Sequence, residues 1–275
     1  MIEDSLAPEI NDRLRHAVAI AREAGQFTLQ FFRQSGVQID RKADGSPVTV
    51  ADRGAEELLR RRISEIFPAD AILGEEFGEQ PGTSGFRWVL DPIDGTKSFI
   101  HGVPLYTTLV AVIRDEPEGA KPLLGVIHAP ATGEMAYAAS GAGAWFALEG
   151  QSPTPARVST TPRLEEGLFL TSEIASFAKG RPRDATDVFL SLQSTARLAR
   201  TWGDAYGYML VATGRAEAMV DPQMNLWDAA ALQPIIEEAG GHFFDWQGNA
   251  TVYSGDAIAT NGRVTEEVLS ITRGR

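Results

Sequence analysis

At 275 residues, with 43% hydrophobic and 23% charged side chains, the chain is long enough for one large domain or two packed lobes of ordinary globular make-up. A net charge of −12 argues against nonspecific binding to nucleic acid or an anionic membrane, and no run of about 18 apolar residues marks a membrane span. The absence of cysteine excludes disulfides, thiolate zinc sites and cysteine nucleophiles and fits a reducing compartment such as the cytoplasm, while the acidic, polar start MIEDSLAPEINDRL does not read as a secretory signal.

From Glu9 to Gln34, Ile10, Leu14, Ala17, Val18, Ala21, Ala24 and Phe31 fall near one face of a predicted helix, with Gly36 as its stop. Val37–Arg41 alternates as a short strand and is followed by the turn-rich ADGSP. A second helix is predicted from about Val50 to Ile66, closed by Pro68. From Ala71 to Phe146 the runs AILG, FRWVLD, LYTTLVAVI, LLGVIHA, EMAYAA and GAWFA read as strands. Strands in succession without helices predict an antiparallel sheet. The polar, proline-rich Gly150–Pro162 is the expected boundary between an antiparallel-sheet lobe, 1–149, and an α/β lobe, 150–275. Beyond it, strand LFLTS, a helix around Asp187–Gln193, strand ARLAR, a helix around Ala205–Thr213, strand AEAMV and a helix around Trp227–Ala239 alternate. Strands HFFDW and AIAT and a last helix around Val264–Thr272 follow.

Several chemistries leave no trace. There is no GxxxxGK[ST] loop, His16, His101, His128 and His242 are scattered, and no Ser-His-Asp set is visible. Carboxylates, by contrast, fall where predicted strands end. Glu75 and Glu76 follow AILG, Asp91 and Asp94 follow FRWVL, and Asp228 opens a helix. Each has a plain structural reading: Asp91–Gly95 as a turn, Asp228 as a helix cap, Glu75–Glu76 as a solvated loop. Together they form a set of hard oxygen ligands at element termini, the kind Mg²⁺ takes. Pro92 fixes φ between the two aspartates, so their carboxylates and the Ile93 carbonyl can converge on one cation. Gly95 lets backbone approach an anion, and Gly95 and Thr96 are expected to begin a short helix whose free N–H groups accept a phosphate.

Asp91–Thr96 (DPIDGT), preceded by Gly74-Glu75-Glu76 and followed by Trp227-Asp228-Ala229-Ala230 and Glu238-Ala239-Gly240-Gly241, resembles the inositol monophosphatase family of Mg²⁺-dependent, lithium-sensitive phosphatases. The resemblance runs from the first helix to the last strand. It implies a layered α-β-α-β-α sandwich of the inositol monophosphatase and fructose bisphosphatase type. It implies that Glu75, Asp91, Asp94, Asp228 and the Ile93 carbonyl hold two or three metal ions. It also implies that Glu75 and an Asp52–Thr96 pair activate the attacking water, that Asp94, Gly95 and Thr96 bind the phosphate, and that Lys42 lies in a loop bringing up a further metal. A homodimer is implied in the same way.

The region lining the alcohol pocket in that family is here RTWGDAYGYMLVATGRAEAMVDPQMNLWD. Its WGDxYGY and MVDPxMNxWD patterns resemble the family's histidinol-phosphate phosphatases. Asp204, Asp221 and Asn225 are the expected substrate contacts, because carboxylates suit an ammonium and a protonatable imidazole better than the hydroxyls of inositol. Asp204 has the alternative of capping the next helix, and Asp221-Pro222 of being a turn. Arg200 is expected to meet substrate or a partner subunit. Inositol 1-phosphate, fructose bisphosphate, nucleotide bisphosphates and a catalytically silent regulator remain as alternatives.

Overall fold

The computed structural model describes residues 6–34, 38–42, 45–115 and 120–273. Gly36, Val37, Ala43 and Asp44, expected at a helix stop, a strand start and a turn, lie outside the described residues. Helix α1 (Pro8–Leu29) starts with Pro8 in its first turn, where a missing N–H is harmless. Its buried stripe contains Leu14, Ala17, Ile20, Ala21 and Ala24. It ends at Leu29 rather than Gln34. The chain tightens into turns there, Arg33 takes φ 60°, and Phe32 packs against Tyr106 at 5.1 Å. Tertiary packing thus overrides the helical period.

Strands β1 (Ile39–Arg41) and β2 (Pro47–Thr49) form an antiparallel pair leading into helix α2 (Val50–Ile66). Then come β3 (Ala71–Gly74), β4 (Gly78–Gln80), β5 (Phe86–Asp94), helix α3 (Thr96–Ile100), β6 (Thr107–Arg114), β7 (Lys121–Ala129), β8 (Glu134–Ala139), β9 (Ala144–Leu148) and β10 (Thr154–Pro155). These strands make one eight-stranded sheet in the order β10-β9-β8-β7-β6-β5-β3-β4. It is antiparallel except where β3 meets β5 in parallel, because the unforeseen β4 folds back on the outer edge of β3 and the chain re-enters on the other side. Strand β5 also runs on past Asp91 to Asp94, with its register against β6 broken between the two, where Pro92 has no N–H to donate.

The second sheet has β11 (Leu168–Leu170), β12 (Leu198–Arg200), β13 (Ala218–Asp221), β14 (His242–Phe244) and β15 (Ala257–Thr260) in the order β12-β11-β13-β15-β14. Its helices are α4 (Ala175–Lys179), α5 (Thr186–Thr195), α6 (Ala205–Ala212), α7 (Leu226–Ala229), α8 (Leu232–Glu238) and α9 (Thr265–Thr272). The single helix expected over Trp227–Ala239 is two. Backbone angles stay helical through Ala230 and Ala231, but Pro234 cannot donate back to Ala230, so the hydrogen-bond ladder is interrupted.

Alternate residues of β5 face opposite layers. Trp88 and Leu90 pack with Leu14, Ile20, Leu59 and Ile63 of α1 and α2. Val89 faces the other way, into a core holding Tyr208 and Val211 of α6, Ile235 of α8, and Leu170 and Met219 of the second sheet. The far side of that sheet, through Phe169, Val220 and Ile258, packs on Val188 and Leu192 of α5 and Val268 and Leu269 of α9. The layers therefore run α-β-α-β-α. No described helix is long and apolar enough to cross a membrane.

Candidate active site

Asp91 and Asp94 sit in the irregular end of β5, both buried, and Asp228 stands in the first turn of α7. One carboxylate oxygen from each lies within 4.8 Å of the others. Each is oriented by backbone. The Ile93 N–H donates to Asp91 Oδ1 at 3.1 Å. Thr107 Oγ1 and the Ala205 N–H donate to Asp94 Oδ2 at 3.0 and 2.6 Å. The Asn225 N–H and its Nδ2 donate to Asp228 Oδ2 at 2.7 and 3.2 Å. Burial and the neighbouring carboxylates push Asp91 and Asp94 well above the usual carboxylate range, and burial pushes Asp228 to about 6. Two buried carboxylates and a half-buried third, so close together, fit a hard divalent cation, which would satisfy their oxygens and their charge together.

Glu75 lines the same hollow, of about 250 Å³, but stands outside the trio. Lys42 Nζ donates to Glu75 Oε1 and Glu76 Oε1, each at 2.6 Å. Burial nevertheless leaves Glu75 raised. Ile93 also lines the hollow, and its carbonyl accepts Thr96 Oγ1 at 3.1 Å. Gly95 takes φ 83°, and α3 begins at Thr96, as expected. A Cβ at Gly95 would fall 2.7 Å from Asp204 Oδ2, so glycine is required there on two counts.

Asp52 reaches the site from the first turn of α2. Thr49 N and Oγ1 donate to its Oδ2 at 2.7 and 2.6 Å, and Thr96 Oγ1 lies 3.3 Å from its Oδ1. Burial raises it to about 6.

A second hollow, of about 200 Å³, adjoins the first through Asp94, Asp204, Asn225 and Asp228. Asp204 occupies the N-cap position of α6, yet its carboxylate makes no capping hydrogen bond. Burial raises it to about 6, with the charge of Asp221 adding to the shift. Asp221 lines this hollow too, but both its oxygens are engaged by Thr171 Oγ1, Ser172 N, Ser172 Oγ and Tyr208 Oη at 2.8–3.2 Å. Arg200 is exposed on edge strand β12 and lines neither hollow.

One residue escaped the sequence reading. Glu56 of α2 is fully buried and accepts the N–H groups of Glu76 and Phe77 and Nε of Arg60, at 2.7, 3.2 and 2.7 Å. It holds the turn carrying Glu75. Gly74 completes the fit, since a Cβ there would lie 2.0 Å from Glu56 Oε1. The available signal was an acidic residue on the apolar face of α2, beside Ala55 and Leu59.

Comparison with known proteins agrees with this architecture. The model of the inositol monophosphatase family matches residues 10–274. A histidinol-phosphatase of Chlorobaculum parvum is 44% identical over 247 residues, 90% of this chain and 91% of that protein. A histidinol-phosphatase of Mycobacterium tuberculosis is 37% identical over 260 residues, 94% of this chain and 97% of that protein. Among solved structures, an inositol monophosphatase from Zymomonas mobilis superposes with a TM-score of 0.80 at 32% identity, covering 97% of this chain and 99% of that one. A Thermotoga maritima IMPase gives a TM-score of 0.82 at 30% identity, covering 95% and 96%. Sequence match, layer order and the acidic cluster at the end of β5 together make this chain a member of the inositol monophosphatase family.

Proposed function

We propose that the protein is a magnesium-dependent histidinol-phosphate phosphatase, converting histidinol phosphate and water to histidinol and phosphate. The observation that carries the reading is the junction of two hollows: the Asp91–Asp94–Asp228 cluster opens directly into a pocket walled by Asp204, whose carboxylate has no hydrogen-bond donor among the described residues. Relatives named histidinol-phosphatase, at 44% and 37% identity over most of both chains, support the substrate.

In this reading Glu75, Asp91, Asp94, Asp228 and the Ile93 carbonyl would hold two or three magnesium ions, which would supply the positive charge this acidic chain lacks and lower the pKa of a water. The chain's own residues orient the reactants. Thr96 directs its hydroxyl hydrogen toward Asp52 or the Ile93 carbonyl, which leaves its lone pairs to accept a hydrogen bond from the attacking water. Thr49 steadies Asp52, and Glu56 steadies the turn carrying Glu75, the second orienting group. Asp94, Gly95 and Thr96 form the wall for the phosphoryl group. Asp204 receives the substrate's ammonium or imidazolium, with Asn225 beside it and Asp221, its oxygens already engaged, in the wall of the same hollow. Arg200, at the surface, meets substrate or a partner subunit only from outside the pocket. A cytoplasmic homodimer, without nucleic-acid or membrane partners, is the form that goes with this reading.

The test is kcat/KM with Mg²⁺ for L-histidinol phosphate beside inositol 1-phosphate, fructose 1,6-bisphosphate and a 3′-phosphorylated adenosine nucleotide. A large preference for the first is expected. Flat, low activity across the panel would return the substrate to the wider family.

A further inference from the structure

Two charged residues at the junction of the hollows have no part in the chemistry above. Lys97, on α3, lines the hollow of the acidic cluster, and Glu173, in the loop after β11, lines the adjoining one. Their side chains meet across the boundary, with Lys97 Nζ donating to Glu173 Oε2 at 2.7 Å. An ammonium therefore already sits on Glu173 in the resting structure, at the rim of the pocket where Asp204 waits without a donor. Both side chains are more than half exposed, at 68% and 51%, and ion pairs so open to water are held weakly and exchange readily. The backbone on the Glu173 side is fixed. The Glu173 carbonyl accepts the Ser176 N–H at 3.3 Å, and neighbouring Ser172 is tied to Asp221. The carboxylate is thus presented from a braced loop.

We infer that Glu173 is a specificity-determining residue: its carboxylate binds the substrate's ammonium by displacing the Lys97 ammonium, and the freed Lys97 turns to the phosphate. The exchange conserves charge. One cation replaces another on Glu173, and Lys97 passes from a carboxylate to a phosphate dianion lying in the hollow it already lines. An ester of a neutral alcohol cannot make the exchange and leaves Lys97 on Glu173. This inference rests on the histidinol-phosphate reading and adds the residue that reads the amine.

The test compares L-histidinol phosphate with glycerol 2-phosphate, with Mg²⁺ present, in wild type, Glu173→Gln and Lys97→Met. Glu173→Gln is expected to raise KM for the amino ester by about tenfold or more while leaving its kcat within about twofold. For glycerol 2-phosphate kcat should stay as it was and KM should not rise, because the Lys97 released by the substitution is free to turn to its phosphate. L-Histidinol as a competitive inhibitor of glycerol 2-phosphate hydrolysis should weaken by the same factor in Glu173→Gln, a change that a merely structural role would not confine to the amine. Lys97→Met should preserve the preference for the amino ester. A preference that survives Glu173→Gln, or equal KM changes for both esters, overturns the inference alone. A wild-type protein without any preference for the amino ester overturns the substrate reading and this inference with it.

Discussion

The backbone N–H of Ala205 donates to Asp94 Oδ2 at 2.6 Å. Asp94 ends strand β5 of the eight-stranded sheet, and Ala205 opens helix α6 in the layer between the sheets. The first N–H groups of a helix have no partner within it, so this donor is available to a carboxylate. Thr107 Oγ1 occupies the same oxygen at 3.0 Å, which leaves Oδ1 unengaged by either donor. The first sheet and the central helices therefore cannot part without disturbing the cluster.

Asp94→Asn keeps an acceptor for Ala205 and Thr107 but removes a charge from the cluster. Turnover is expected to fall by about two to three orders of magnitude. The circular dichroism spectrum should be unchanged, and the metal-free Tm should not drop, because one of several mutually repelling carboxylates has gone. Stopped turnover with an intact fold would place Asp94 in the chemistry, whereas near-wild-type kcat would remove it.

Asp52, Asp204 and Asp228 stand at about 6 instead of 3.8, raised chiefly by burial, and Asp91 and Asp94 stand well above the usual range. The folded, metal-free protein thus binds protons more tightly than the unfolded chain. For Asp52, Asp204 and Asp228 the stability so contributed is complete below about pH 4 and is lost as pH rises through about 6, and Asp91 and Asp94 act in the same direction. A cation must displace those protons to bind. The rise in Tm caused by saturating Mg²⁺ should therefore be small at pH 5 and large at pH 7.5, with proton release measurable by calorimetry in two buffers of different ionisation enthalpy. A Tm shift independent of pH would contradict the carboxylate cluster as the binding site.

Glu56→Ala strips the acceptor from the N–H groups of Glu76 and Phe77 and leaves Arg60 without its carboxylate. A loss of about 3 kcal/mol in urea denaturation is expected, together with a higher Mg²⁺ requirement, because the turn carrying Glu75 loosens. Glu56→Gln should recover part of both. If Glu56→Ala left the metal requirement unchanged, Glu56 would be a stability residue only.

How far these features were legible differs with the kind of signal. The end of β5 was readable because Asp91, Pro92, Asp94 and Gly95 each force local backbone behaviour, and the break in register lies between Asp91 and Asp94. The apolar run Trp88-Val89-Leu90 gave the strand but not its two different cores, which depend on distant helices. The end of α1 was misplaced because Phe31 and Phe32 keep the helical spacing while packing with Phe99 and Tyr106 instead. Glu56 was missed because the only local sign was its place on the apolar face of α2, while the backbone groups that give it its role lie some 20 residues away. Asp221 could be placed near the pocket from its motif. That four donors already occupy its carboxylate could only come from the folded arrangement of Thr171, Ser172 and Tyr208.

Asp204 has φ 52° and ψ −150°, a conformation that side chains with a Cβ rarely adopt. Its N–H is held by Ser172 Oγ at 3.1 Å, and the next N–H by Asp94, so its surroundings impose the strain. Replacement by glycine should relieve it and also remove a charge that repels Asp94, raising stability by about 1 kcal/mol. Asp204→Ala removes the same charge but keeps the Cβ, so it should be less stable than Asp204→Gly. Both variants should raise KM for L-histidinol phosphate, while glycerol 2-phosphate hydrolysis changes little. Opposite movement of stability and substrate affinity in the glycine variant would mean that the backbone is held in a costly conformation in order to aim the carboxylate. Equal stability of the glycine and alanine variants would mean that no such strain is stored, and unchanged KM in both would take Asp204 out of substrate recognition.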